Sequence, residues 1–149
     1  MTIISVHFSP EIIAKIGTAD THGWTSAIRD WHHNGDPIKN FGRNVPNSRG
    51  VENTWAWHVH MAPETDAEID AWDGARKAYD RTSNRLLVYS MDQDLPTRYG
   101  ILLLAFLAPK GHELLTKGSS ASQRREDWEN IAYSHQISGF MPPGTVTTK

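Results

Sequence analysis

Apolar and polar residues alternate at the start of the chain, where Ile4, Val6 and Phe8 are interleaved with Ser5 and His7. That is the period-2 pattern of a half-buried strand. Ser9-Pro10-Glu11 follows with an N-cap, a proline suited to the first helical position and a first-turn acid, so a short helix carrying Ile12, Ile13 and Ile16 is predicted to end near Gly17. Trp24, Ile28 and Trp31 recur at i, i+4 and i+7, which predicts a second helix from about Thr21 to His33, stopped by Asn34-Gly35. From Asp36 to Asn53 the chain is rich in Pro, Gly and Asn without usable periodicity, and it reads as an extended loop carrying Lys39, Arg43 and Arg49. Loops of that length inside a domain are uncommon and often functional.

Between Thr54 and Met61 the alternation returns. Trp55, Trp57, Val59 and Met61 point one way, and Ala56, His58 and His60 the other. Thr65 to Glu68 fits a capping box, with Ile69, Trp72 and Tyr79 behind it, so a helix is predicted from about Asp66 to Tyr79. Two strand-like runs follow, Leu86–Met91 and Tyr99–Leu107, joined through residues 92–96. The second run is apolar throughout, as expected of a strand buried on both faces. Pro109 ends it, a helical turn near His112–Lys117 closes at Gly118, and serines 119, 120 and 122 offer caps for a last helix carrying Trp128, Ile131, Ala132 and His135. Gly139 to Lys149, with two prolines and little apolar content, reads as a loose tail. The order is β-α-α-β-(α)-β-β-α: an α+β domain over residues 1–138 with a flexible tail at 139–149. Helices are expected on one face of the sheet. The other face would stay partly open, with His58 and His60 on it.

Composition narrows the chemistry. At 149 residues the chain suits one domain. With no cysteine it can have neither a disulfide framework nor a thiol nucleophile, which suits a cytoplasmic location. The longest apolar run, Ile101 to Ala108, falls well short of the roughly 20 residues that span a bilayer, and Met1–Pro10 lacks a basic n-region and an apolar h-region. No membrane partner is therefore expected. The net charge of -2 speaks against binding nucleic acid by bulk attraction. Yet Glu64, Asp66, Glu68, Asp70 and Asp73 form one acidic block, and setting those five aside leaves 15 bases against 12 acids. The rest of the body is mildly basic, so a nucleic-acid site would be local.

Five blocks carry a resemblance. Asn34-Gly35-Asp36-Pro37, then Phe41-Gly42-Arg43-Asn44, then His58-Val59-His60-Met61-Ala62, then Arg81-Thr82 leading to Leu87-Val88-Tyr89, and finally Leu102 to Pro109 with His112 stand in one order. Together they resemble the YafO family of bacterial type II toxins, over a stretch from about Phe8 to about His135. No single block is decisive, since His-x-His or Phe-Gly-Arg alone recurs by chance. The resemblance implies an mRNA interferase that cuts messenger RNA in association with the ribosome and is neutralised by a cognate antitoxin. It also implies a RelE-like fold, with an antiparallel sheet of about four strands, helices on one face and a C-terminal helix.

Metal-independent RNA cleavage by attack of the 2′-hydroxyl needs a base, an acid and cations to hold the phosphoryl charge, and no cofactor. Histidine suits both proton roles and arginine suits the phosphate clamp. His58 and His60, about 7 Å apart on one strand face at roughly 3.3 Å per residue, are the first candidates. His112, beside Lys110, could reach that face or merely cap the helix after it. Arg81, with Thr82 and Asn84, could clamp phosphate or sit in a solvated turn, and Tyr89 could meet a base or lie in the core. Arg43 could bind RNA or pin its own loop. Arg124 and Arg125 could contact phosphate, although an Arg-Arg pair before Glu126-Asp127 is also what a solvated helix face looks like. The six tryptophans fit core positions for the most part. Two other functions stay open: a toxin of the same type that binds a different target, such as gyrase, without cutting RNA, and a metal-dependent small-molecule enzyme built on His58 and His60.

Overall fold

A computed structural model describes residues 5–47, 54–92, 98–118 and 120–148 of the chain. Ile4, Arg49, residues 93–96 and Ser119, all used in the sequence reading, lie outside them. In chain order the elements are β1 (Val6–Phe8), α1 (Pro10–Ile16), α2 (Thr21–His33), β2 (Phe41–Pro46), β3 (Ala56–Met61), α3 (Asp66–Gly74), β4 (Leu86–Ser90), β5 (Ile101–Leu107), α4 (Gly111–Thr116), α5 (Ala121–Ser138) and β6 (Val146–Thr148).

The six strands form one sheet in the order β2-β3-β4-β5-β1-β6. It is mixed where an antiparallel sheet of about four strands was expected, because β1 runs parallel to β5 while every other pairing is antiparallel. Two strands escaped the hydrophobic pattern. β2 reads Phe-Gly-Arg-Asn-Val-Pro, with no alternation, and is held by its register to β3, including an irregularity between Phe41 and Asn44. As the edge strand it tolerates Pro46. The segment expected to be a loose tail ends in β6, whose Val146, Thr147 and Thr148 pair with Phe8, His7 and Val6 of β1. Three residues are too short to show a period, so only the pairing makes them a strand.

Local signals placed the helices well. Ser9 caps α1, its hydroxyl accepting from the Ile12 amide at 3.4 Å, and Gly17 at φ 81° ends it. The Asp36 carboxylate accepts from the amides of Asn40 and Phe41, both at 2.9 Å, and so turns the chain from α2 into β2. The helix expected to run from Asp66 to Tyr79 stops at Gly74, and a separate 3-10 turn covers Ala78–Asp80. α5 ends at Gly139, whose left-handed φ of 75° lets its amide close on the His135 carbonyl at 2.8 Å. No described helix is long and apolar enough to cross a membrane.

Both faces of the sheet are covered, which corrects the expectation of helices on one side. Val6, Phe8, Val59, Leu87, Tyr89, Ile101 and Leu103 pack with Ile12 of α1 and Ile28 of α2. Ala56, Leu86, Val88, Leu102 and Leu104 pack on the other face with Leu115 of α4 and Trp128 and Ala132 of α5. β5 feeds both clusters, as its unbroken apolar run predicts. Each leucine buried there is worth about 1.5–3 kcal/mol. A cleft remains between α4 and the β2–β3 edge.

Candidate active-site cleft

The alternation of β3 places His58 and His60 on the face that α4 covers, with Val59 beneath them in the opposite cluster. α4 then brings His112 against them. The ring centroids of His58 and His60 are 5.9 Å apart, and those of His60 and His112 are 5.1 Å apart. The three imidazoles form a row along a cleft of about 260 Å³, walled by Arg43 and Asn47 on one side and Leu115 and Thr116 on the other. A larger cavity of about 400 Å³ lies against the other face, between Trp24, Ala27 and Met61; it contains no histidine, and we assign no chemistry to it.

Two glycines allow this assembly. A side chain on Gly111 would begin 2.6 Å from the Asn84 carbonyl oxygen and 2.8 Å from Leu86 Cγ, so only glycine lets α4 start this close to the lead-in of β4. The Gly111 amide donates to that same Asn84 carbonyl at 2.7 Å, which sets His112 beside the Asn84 side chain. Likewise a Cβ on Gly42 would meet the Arg81 carbonyl oxygen at 2.3 Å. The next residue, Arg43, donates its amide to that carbonyl at 2.8 Å and so takes its place in the cleft wall.

Each histidine is tethered through Nδ1. His58 Nδ1 meets Asn47 Oδ1 at 2.8 Å, and His112 Nδ1 meets Asn84 Oδ1 at 2.9 Å. With an amide oxygen facing it, His112 Nδ1 carries the hydrogen and Nε2 keeps the lone pair. His60 Nδ1 lies 2.9 Å from the Ser83 amide and 3.0 Å from its carbonyl oxygen. Burial pushes His60 down to about 4, helped by the neighbouring His112 and Arg43, while the Ser83 carbonyl pulls the other way. His112 is lowered by burial first and Arg43 second, against an upward pull from Glu68. Both rings are therefore neutral near pH 7, and Arg43 is the cation that helps keep them so.

The other predicted residues fall elsewhere. Arg81 is buried, with Nε and Nη2 both on the Phe41 carbonyl at 3.0 and 2.7 Å and its guanidinium over Trp72. It supports the strand that carries Arg43 and does not line the cleft. Tyr89 is fully buried in the opposite cluster, its hydroxyl donating to Asn44 Oδ1 at 2.6 Å. Thr82 and Lys110 are exposed, Lys110 immediately before α4. Arg124 pairs with Glu11 at 3.5 Å and lies over Trp128, and Arg125 donates to the Leu115 carbonyl at the end of α4. Trp55 packs with the cluster on the histidine face, against Tyr133, and not opposite it as its spacing predicted, because it precedes the first residue of β3. Sequence reasoning missed Asn47 and Ser83, the tethers of His58 and His60, which carry no signal of their own. No group of three or more His, Cys, Asp or Glu arranged to hold a metal ion occurs among the described residues.

Residues 29–136 match the protein family described as Toxin YafO, type II toxin-antitoxin system. The chain belongs to that family. The match begins inside α2 and includes every wall of the cleft, whereas β1 and β6, at the far edge of the sheet, lie outside it. As a YafO-family toxin of a type II system, the protein has a cognate antitoxin as its partner. No curated protein and no solved structure matches the chain.

Proposed function

We propose that this YafO-family toxin is an endoribonuclease that cleaves messenger RNA at the ribosome, in the cytoplasm, without a metal or other cofactor. The observation that carries the reading is the row of three histidines with Arg43 beside it, in a cleft formed by the family-matched part of the chain. His60 is the deeper ring, 2% exposed, and acts as the base in the tautomer whose Nδ1–H donates to the Ser83 carbonyl at 3.0 Å and whose Nε2 keeps the lone pair. It takes the proton of the 2′-hydroxyl as the 2′ oxygen attacks phosphorus. The bond from phosphorus to the 5′ oxygen breaks, and His112 as imidazolium gives that oxygen its proton. The products are a 2′,3′-cyclic phosphate and a 5′-hydroxyl end.

Arg43 couples binding to protonation. Its charge depresses both His60 and His112. A phosphodiester docked on the guanidinium offsets that charge and adds its own, so both pKa values rise on binding. His112, already drawn upward by Glu68, is the ring that gains the proton. His58 completes the row from the Asn47 side. Thr82 and Lys110, both exposed, are our candidates for contacts to flanking phosphates, and Arg124 and Arg125 for contacts to ribosomal RNA. The test is growth arrest and primer-extension mapping of mRNA ends in expressing cells. His60→Ala and His112→Ala should each lower cleavage by about 10²–10⁴-fold, the usual contribution of a general acid or base. A single 2′-deoxy substitution at the cut site should block it, and EDTA should not. Unchanged mRNA ends during growth arrest would instead mean a toxin that binds another target.

A further inference from the structure

We propose that Tyr79 and Arg43 together form a stacking platform for one unpaired nucleobase at the side of the cleft, a subsite for single-stranded RNA next to the scissile phosphate; the inference rests on the ribonuclease reading above. Tyr79 sits in the 3-10 turn Ala78–Asp80 and leaves 56% of its surface in water. Its exposure alone would mean little, since single aromatic side chains are common on surfaces. What distinguishes it is how it is held. The Arg43 guanidinium carbon lies 4.1 Å from the ring centroid, and Arg43 Nε donates to the carbonyl of Tyr79 itself at 2.8 Å. One side chain thus grips both the backbone and the ring of the residue it covers.

Arg43 is also a wall of the histidine cleft and acts electrostatically on His60 and His112. The platform and the reacting groups therefore share a residue. The guanidinium covers one side of the ring, and the exposed remainder is a flat, apolar, pre-ordered surface. A base stacked there would complete a base–tyrosine–arginine sandwich while its phosphate met the same guanidinium. Ordering the platform before the ligand arrives lowers the entropy lost on binding. Every base has a π-face, so the subsite would favour an unstacked nucleotide without reading its identity.

The experiment measures cleavage by the full-length toxin on ribosomes carrying a short mRNA, in which single nucleotides around the cut are replaced by abasic ones. Tyr79→Ala and Tyr79→Leu should lower kcat/KM about 10- to 100-fold, the range that base stacking supplies. Most of the loss should fall in KM. Tyr79→Phe and Tyr79→Trp should stay close to the parent. Leucine still covers the arginine stem, so a merely structural role would leave Tyr79→Leu active. One abasic position should reproduce the loss in the parent toxin and cost nothing further in Tyr79→Ala. Equal activity of Tyr79→Leu and the parent, or an abasic penalty that persists in Tyr79→Ala, overturns the platform alone. Full cleavage by Tyr79→Ala with weakened neutralisation by the antitoxin overturns it in favour of a protein contact. A parent toxin that cuts no RNA removes the ribonuclease reading itself.

Discussion

Two groups of histidines stand at opposite ends of this sheet, and their contrast separates a reactive arrangement from a structural one. At the β1–β6 edge, His7 meets Thr147 Oγ1 through Nδ1 and the Tyr99 carbonyl through Nε2, both at 2.7 Å. Both ring nitrogens are thereby committed. His135, 6.3 Å from His7 between ring centroids, holds Ser90 Oγ at 2.8 Å. At the β2–β3 edge, His60 and His112 are tethered through Nδ1 on a cleft shared with Arg43. Burial lowers the pKa at both ends, taking His135 and His60 alike to about 4. A depressed histidine is therefore no mark of catalysis here. The distinguishing features are a cleft onto which the ring opens and a cation aimed at it.

The sharpest way to break the comparison is to truncate one ring at each end. His60→Ala should abolish growth arrest and, because it removes the partner of the buried Ser83 backbone, should also cost about 1–3 kcal/mol of stability. His7→Ala removes the bonds to the Thr147 hydroxyl and the Tyr99 carbonyl, each worth about 0.5–1.5 kcal/mol, so it should cost about 1–3 kcal/mol of stability and spare cleavage by the folded fraction. Comparable loss of cleavage per folded molecule in both variants would erase the distinction.

A broader effect, shared by α2 and both ends, is acid sensitivity. His32, His60 and His135 all sit near 4 in the folded protein against 6.5 for the free side chain. Between those values the unfolded chain binds protons that the folded one refuses. Their stabilising contribution is thus full above about pH 6.5 and drains away as pH falls toward 4. Thermal melts across that window should show a falling Tm, shallower in His135→Gln. A melting temperature independent of pH between 6.5 and 4.5 would contradict it. The smallest effect should come from Arg124→Ala: its ion pair with Glu11 is largely solvated, and exposed pairs contribute about 0–1 kcal/mol. A loss of stability larger than that of His7→Ala would show that the surface pair had been misjudged.

Much of the frame was legible in the chain itself. Ser9-Pro10 and Gly17 bound α1 where they should, the apolar run of β5 is buried on both sides, and the alternation of β3 put His58 and His60 on one face. These are local or periodic properties, set by caps and by the two-residue repeat of a strand. β2 and β6 were not legible, because their identity lies in pairing and not in their own pattern.

The site divides in the same way. Sequence alone determined that two imidazoles share a strand face and that a third follows the buried strand, since both depend on neighbours within a few residues. Only the tertiary structure decided that His112 joins the row, that Arg43 and not Arg81 stands in the cleft, and that Tyr89 turns to the opposite core. Those outcomes hang on contacts between distant parts of the chain, at Gly111 against Asn84 and Gly42 against Arg81, where backbones approach too closely for any side chain. A close approach of that kind is a property of the packed sheet and helix, and no periodicity along the chain encodes it.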